Sequence, residues 1–417
     1  MNEDHEAFRL ALAKGSGRAM IILRRVGGNE SIREALLNGC LRNLAYDPQS
    51  ESERSAYLAR LIGEAGLRTD LFHALIKILE STPDDDLNTP QIFAVLSRLA
   101  CAHDDLDASA LQRVFAGLSA EDQLDCMDAL VRLDGFPALL DCAERLCANL
   151  PEDGWLGEDL IEALRERDGP EVDQTLLVLR AQHPSLAQLM SFLDAREAEQ
   201  KTPALPVVEY DFPEIRATLR LGKRPSGIRM WALTDDHWGI LADDLVACRD
   251  DDPVLPYLRL FSYRRFPKEP QLLERWTART DSQIAWAAMR AMSRIKSPFV
   301  RNMALQRLEA GDGSGVGLLR SNYVAGDLAR IEPLFRAPSE KYQAHDLGMA
   351  VLDILENNEV PTEERREMLL LVYTCTPCSY CRRDVVSELL EKHEVPGWIA
   401  EECRFDADPD TVKLFSL

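Results

Sequence analysis

The 417-residue sequence predicts an all-α protein made of short helical hairpins that follow one another along the chain. Three observations support this fold class. Apolar residues recur at helical spacing, helix-capping residues precede these stretches, and the connections are short and rich in Gly, Pro and Asp. Hydrophobic residues make up 46% of the chain, which is enough to bury a core. No apolar run reaches the ~20 residues of a membrane-spanning helix, so no membrane partner is expected.

The clearest hairpin lies between Asp281 and Glu309. Ser297 is placed to cap its second helix, and Pro298 suits the first helical position. In this spacing the segment resembles a HEAT-type helix pair, which stacks into an α-solenoid, and a fainter resemblance follows Arg382. The resemblance implies a mostly non-enzymatic scaffold that binds proteins on a concave surface. The apolar stripes of the hairpin are Ile284, Ala287, Ala288, Ala291, Ile295, Val300, Met303, Ala304 and Leu308.

Capping residues predict where other helices begin, because a side-chain oxygen can accept from a free backbone N–H and an acid suits the positive helix end. The predicted starts are Asp70, Thr89–Pro90, Ser119, Thr362 and Asp408–Pro409.

A proline-rich stretch interrupts the helical pattern between residues 201 and 227, where residues 207–210 and 218–221 alternate weakly like strands. No fixed period aligns all helix pairs, so the repeats are degenerate. The sequence therefore predicts a HEAT-like solenoid in two halves: an N-terminal region 1–197, a linker or insert at 198–228, and a C-terminal region 229–417.

The net charge of −22 is unevenly distributed. Residues 101–200 hold 7 basic and 22 acidic side chains, a balance of −15, whereas residues 201–350 hold 22 and 19, a balance of +3. Phosphate binding needs positive charge, so the sequence argues against a general nucleic-acid partner. An acidic chain suits a basic protein surface.

The segment 257–268 interleaves aromatic and basic residues. Three interpretations stay open: an amphipathic helix with its aromatics inward, a protein-binding surface, and a single-stranded nucleic-acid surface. The candidate partner-binding residues are Tyr257, Arg259, Phe261, Tyr263, Arg264, Arg265 and Phe266.

The segment CTPCSYC carries Cys375, Cys378 and Cys381, and Cys403 is the fourth nearby thiol. This spacing is a candidate zinc site. A second ligand knuckle is missing, so the sequence favours thiols that share a buried face of a helix starting near Ser379. Ten cysteines without disulfide-scaffold density indicate reduced thiols in a cytoplasm.

An enzyme is the alternative from a different class. His73, His103 and Asp104 resemble the ligand order of HD-domain phosphohydrolases, but His103 and Asp104 fall in an acidic loop that would fix ligands poorly. The glycine run 311–317 lacks the lysine and preceding strand of a phosphate loop, so it predicts a flexible turn. Acidic pairs such as Asp243-Asp244 are read as solvated loops and caps.

The sequence thus favours a non-catalytic scaffold or adaptor that binds a protein, with no cofactor. A neutralising inhibitor or immunity-type protein against a basic partner is one form of this hypothesis; a metal-dependent enzyme and a nucleic-acid-binding solenoid are the alternatives. The acidic start of the chain has the wrong order of charged and apolar residues for a secretory signal, so a cytoplasmic location is expected.

Overall fold

The computed structural model describes residues 3–48, 51, 54–81, 87–102, 106–148, 155–201, 212–224, 233–249, 253–336 and 341–415. Within these ranges the chain is all-α, with 26 α-helices, a single 3₁₀ turn at Leu319–Ser321 and no strand. The predicted all-α class is therefore confirmed. No described helix combines the length and apolar character that crossing a bilayer requires.

The chain forms two compact units. Unit 1 comprises residues 1–203, 378–383 and 395–417, and unit 2 comprises residues 204–377 and 384–394. Unit 1 contains α1 (Glu3–Lys14), α2 (Arg18–Val26), α3 (Glu30–Leu41), α4 (Ser55–Glu64), α5 (Arg68–Ser81), α6 (Thr89–Cys101), α7 (Ala108–Gly117), α8 (Ala120–Asp125), α9 (Met127–Asp134), α10 (Phe136–Ala148), α11 (Trp155–Asp168), α12 (Val172–Arg180) and α13 (Pro184–Lys201).

Unit 2 contains α14 (Phe212–Arg220), α15 (Asp235–Ala247), α16 (Leu255–Phe261), α17 (Gln271–Thr277), α18 (Ser282–Ser293), α19 (Pro298–Glu309), α20 (Ser314–Leu318), α21 (Leu328–Arg336), α22 (Lys341–Asn357) and α23 (Thr362–Cys375). The unit boundary falls within α24 (Ser379–Glu391). The last helices, α25 (Gly397–Cys403) and α26 (Pro409–Lys413), belong to unit 1.

Helices of unit 1 pack mainly on near neighbours in sequence. Each of the pairs α2 and α4, α4 and α6, α6 and α9, and α9 and α11 is in contact, and α1 packs on both α2 and α3. A continuous core runs through these helices, including Phe8, Tyr57, Phe72, Phe93 and Leu164. Sequential neighbour packing is compatible with a helical-repeat protein.

The C-terminal segment of unit 1 packs against the first two helices of the chain. The Ala407 backbone N–H donates to the Gly15 carbonyl oxygen at 2.8 Å, and Arg18 pairs with Glu402 at 2.7 Å. At Gly17, a Cβ would lie 1.8 Å from the Glu402 carbonyl oxygen. The close approach of α2 to α25 therefore requires glycine at this position.

Unit 2 repeats one pattern of helix pairing. The helices α15, α17 and α19 each pack on the next helix in sequence, whereas α16, α18, α20 and α22 pack side by side. The two helices predicted between Asp281 and Glu309 are confirmed as α18 and α19: Ser297 accepts from the Phe299 N–H at 3.2 Å, and Pro298 begins α19. Their packing on each other as a hairpin is not confirmed, because α18 packs mainly on α16, α17 and α20, whereas α19 packs mainly on α20 and α21. The predicted apolar residues Ala287, Ala288, Ala291, Val300, Ala304 and Leu308 are all buried.

Other predicted helix starts lie within two residues of the observed ones. Asp70 lies in the first turn of α5, which begins at Arg68. The cap of α6 is Asn88 rather than Thr89, and α23 begins at Thr362 without a side-chain cap. Ser119 caps α8, and Asp408 caps α26 by accepting from two backbone N–H groups.

Two local predictions were wrong. Residues 218–221 are not strand-like, because Phe212–Arg220 forms α14 and buries Ile215 and Leu219. The glycine run at 311–317 is a turn only at its start, since α20 begins at Ser314. A Cβ at Gly315 would lie 2.7 Å from the Ala304 carbonyl oxygen, so this glycine permits α20 to pack closely on α19. Residues 207–210 lie outside the described residues, and the boundaries 1–197, 198–228 and 229–417 stay a prediction.

Candidate protein-binding surfaces

The aromatic residues of the segment 257–268 form part of the core of unit 2. Tyr257, Phe261 and Phe266 are each at most 1% exposed. The Phe261 ring meets the Phe266 ring edge-on at 5.0 Å and the Trp238 ring at 5.8 Å. These three candidates contribute packing, and only Tyr263, at 60% exposed, presents an aromatic ring to solvent.

The basic residues of the same segment face outward, and their environments differ. Arg264 pairs with Asp235 at 2.9 Å, and Lys268 pairs with Asp243. Arg259 instead donates to the Gln283 side-chain oxygen at 3.0 Å. Arg265 is exposed and has no ion pair among the described residues. The segment therefore offers cations that are only partly neutralised.

The neighbouring helix α18 and its C-cap residue Arg294 add an aromatic and two cations that were not among the residues predicted from the sequence. Trp286 is 55% exposed, and the Arg290 guanidinium lies 4.9 Å from the centre of its ring. Trp286 falls outside the apolar stripe of α18, and Arg290 follows it by four residues. That spacing was the available signal, since residues four apart share a helix face.

Arg294 links α18 to the end of α16. Its Nε donates to the Ser262 carbonyl oxygen. The pKa of Arg294 is lowered by its partial burial and then by the positive charges of Arg320 and Arg290. We name the set Arg259, Tyr263, Trp286, Arg290 and Arg294 the arginine–tryptophan surface.

A second candidate surface is acidic and lies in unit 1. It consists of the carboxylates of α8, α9 and α11: Glu121, Asp122, Asp125, Asp128, Glu158 and Asp159. All are exposed except Asp128, which is partly exposed. We name this set the acidic surface.

Like charges on the acidic surface are close enough to affect one another. The pKa of Asp159 is raised by partial burial of its carboxyl group and then by Asp128 and Glu158. The pKa of Asp125 is raised by partial burial and then by neighbouring carboxylates of α8. Asp128 also pairs with Arg132 at 3.1 Å, so the fold neutralises part of this charge.

The four candidate zinc ligands occupy different positions. Cys375 ends α23 in unit 2 and is partly buried. Cys378, Cys381 and Cys403 belong to unit 1 and are buried. The sulfur atoms of Cys378 and Cys381 lie within 4.8 Å of each other, whereas Cys403 does not lie within that distance of both. The zinc site stays a prediction.

Only one of the three residues proposed as metal ligands of an enzyme lies within the described residues. His73 is exposed on α5, but His103 and Asp104 lie outside the described residues. Asp244 was predicted to lie in a solvated loop or cap, but it lies within α15. Its carboxylate accepts hydrogen bonds from Arg216 and Arg220. This pairing lowers the pKa of Asp244.

Comparison with known proteins gives no relative from which to transfer a function. No protein-family model, no curated protein and no solved structure matches this chain.

Proposed function

We propose that this chain is a non-catalytic scaffold of the helical-repeat type, and that its acidic surface binds a basic protein. The observation that carries the proposal is the cluster of exposed carboxylates on α8, α9 and α11. The pKa values of Asp125 and Asp159 are raised first by desolvation and then by repulsion from neighbouring carboxylates of this cluster. A cationic partner would relieve this repulsion. Inhibition of a basic enzyme is one form that such binding could take.

The charge of the surrounding sequence supports the same partner. Residues 101–200 have a balance of −15, so a basic protein approaching this region is attracted before it makes contact. Such steering mainly raises the association rate and disfavours acidic partners. It also weakens with salt, because the Debye length falls from about 8 Å at physiological ionic strength to about 3 Å at 1 M.

The proposal also predicts a proton linkage. A lysine or arginine placed beside Asp159 lowers the pKa of that carboxyl group, so binding releases any proton it carries. Affinity for the basic partner should therefore rise with pH across the range in which Asp125 and Asp159 lose their protons.

The test is affinity capture from a host lysate at low and high salt. The parent chain and two charge-matched variants serve as the bait. The first replaces four carboxylates of the acidic surface (E121Q, D125N, E158Q and D159N). The control replaces four exposed carboxylates of α1 and α3 (E3Q, E6Q, E30Q and E34Q), which changes the net charge equally.

The proposal expects a basic protein on the parent chain and the control at low salt, and little on the acidic-surface variant. Equal capture by both variants would show that net charge alone attracts the partner. Absence of any basic protein would also contradict the proposal.

A further inference from the structure

The arginine–tryptophan surface spans two helices that pack side by side. Arg259 on α16 reaches Gln283 on α18, and Arg294 reaches back to the end of α16 at Ser262. The Ser262 hydroxyl also lies 3.4 Å from the Ala287 carbonyl oxygen. These contacts fix the two helices in register, so the exposed side chains of the surface are held on one scaffold.

The cations of this surface lack anionic partners within the described part of the chain. Neither Arg290 nor Arg294 forms an ion pair there, and Arg259 meets only an amide. By contrast, the nearby Arg264 and Lys268 each have a carboxylate. The fold thus leaves positive charge on α16 and α18 although the chain as a whole carries −22.

The same surface exposes aromatic area. Trp286 is 55% and Tyr263 is 60% exposed, whereas Trp238 and Trp276 are at most 2% exposed. Trp, Tyr and Arg are the residues that most often dominate protein–protein binding energy. Because the Arg290 guanidinium already lies beside the Trp286 ring, both groups can meet a single partner segment without rearrangement.

We propose that the arginine–tryptophan surface docks an acidic segment of another protein. Carboxylates of that segment would pair with Arg259, Arg290 and Arg294, and one of its apolar side chains would pack on Trp286. This inference goes beyond the proposed function, because the surface lies in unit 2 and selects the opposite charge. The chain would then be an adaptor with a separate surface for each partner chemistry.

Charge and composition favour a protein segment over a nucleic acid. Asp353 and Glu356 lie close enough to Arg294 to raise its pKa, so carboxylates border the cations. They disfavour a continuous phosphate backbone more than a short segment whose few carboxylates meet only the cations. Single-stranded nucleic acid is held by aromatic rings that stack successive bases. Here the ring of Trp286 is partly covered by Arg290, so it suits contact with a single apolar side chain of a partner.

The test measures fluorescence anisotropy of a labelled peptide in which glutamates flank a phenylalanine. A labelled oligothymidylate of similar length is the second probe. The variants are W286A with R290Q and, separately, R290Q with R294Q. The control is R330Q with R336Q, which removes two exposed charges from α21 of the same unit.

We expect both surface variants to weaken peptide binding about tenfold or more, and the control to change it less than about twofold. Arg294 contacts backbone, so its variant could perturb the fold; W286A with R290Q changes only exposed side chains and keeps the test decisive. Circular dichroism verifies the fold of each variant.

Three results would overturn the inference: no peptide binding by the parent chain, equal loss in the control, or tighter binding of oligothymidylate that the surface variants abolish. The acidic-surface variant described above should still bind the peptide. That arm separates failure of this inference from failure of the proposed function.

Discussion

The ion pair between Arg301 and Asp327 allows a quantitative prediction about unit 2. The guanidinium donates to both carboxylate oxygens, at 2.6 and 2.9 Å, and to the Asn322 carbonyl oxygen at 2.7 Å. The Asp327 carboxylate also accepts from the Val324 N–H at 2.9 Å. The two partners differ in exposure, since the Arg301 side chain is 25% exposed and that of Asp327 only 2%.

This difference makes the two single substitutions unequal. In R301M the buried carboxylate loses its main counterion, which typically costs about 3–5 kcal/mol. Arg330, at 3.6 Å from Asp327, offers partial compensation, so we expect a value near about 3 kcal/mol. In D327N the isosteric amide can keep a hydrogen bond and water can reach Arg301, so the expected cost is about 1–2 kcal/mol.

The assay is urea unfolding followed by circular dichroism, and the comparison holds if the variants share one m-value. The double variant R301M with D327N should cost less than the sum of the single variants, because no unpaired buried charge remains. If D327N lowered the free energy of unfolding as much as R301M or more, the reasoning would be refuted. Such a result would mean that the Asp327 carboxylate is not buried. R330Q, at a half-exposed position, is the control and should cost under about 1 kcal/mol.

Three further predictions concern unit 1. D159N should stabilise the fold by under about 1 kcal/mol at neutral pH, because the raised pKa of Asp159 means that its ionised form is disfavoured in the folded state. Thermal unfolding should show this gain vanish as the pH falls and the parental carboxyl group protonates. G17A should destabilise by about 3 kcal/mol or more, since its Cβ meets the Glu402 backbone, whereas G117A, in open space, should be near neutral by the same measurement. Q91L should cost about 1–3 kcal/mol in urea unfolding, because Gln91 donates to two buried carbonyl oxygens in the last turn of α3.

The two helices at 281–309 were predictable because their information is local. Apolar spacing indicated their buried faces, and Ser297 with Pro298 marked the start of α19. Which helix each would pack on was not predictable, since α19 packs mainly on α20 rather than on α18. The segment 257–268 was only half predictable. Its helix could be read from the pattern, but Phe266 lies beyond the end of α16 and is buried by contact with Phe261, which no helical spacing indicates.

Contacts between distant parts of the sequence left no local signal. Nothing near Gly17 indicates that its Cα hydrogen faces the backbone of Glu402. Trp286 was overlooked for a different reason, because hydrophobic periodicity selects the buried face of a helix and this tryptophan lies on the other. A search for aromatic residues outside the apolar stripe would have identified it.

Salt sensitivity alone cannot assign a partner to a surface, because both candidate surfaces are charged and both complexes would weaken as salt rises. Two results together assign a partner to a surface: the sign of the partner's charge, and which variant no longer binds it. Because α16 and α18 belong to unit 2 and α8, α9 and α11 to unit 1, exposed substitutions on α16 and α18 should leave the packing of α8, α9 and α11 unchanged. A basic protein lost from the acidic-surface variant but kept by the W286A and R290Q variant would therefore place its binding in unit 1. The converse result, with an acidic partner, would place binding in unit 2.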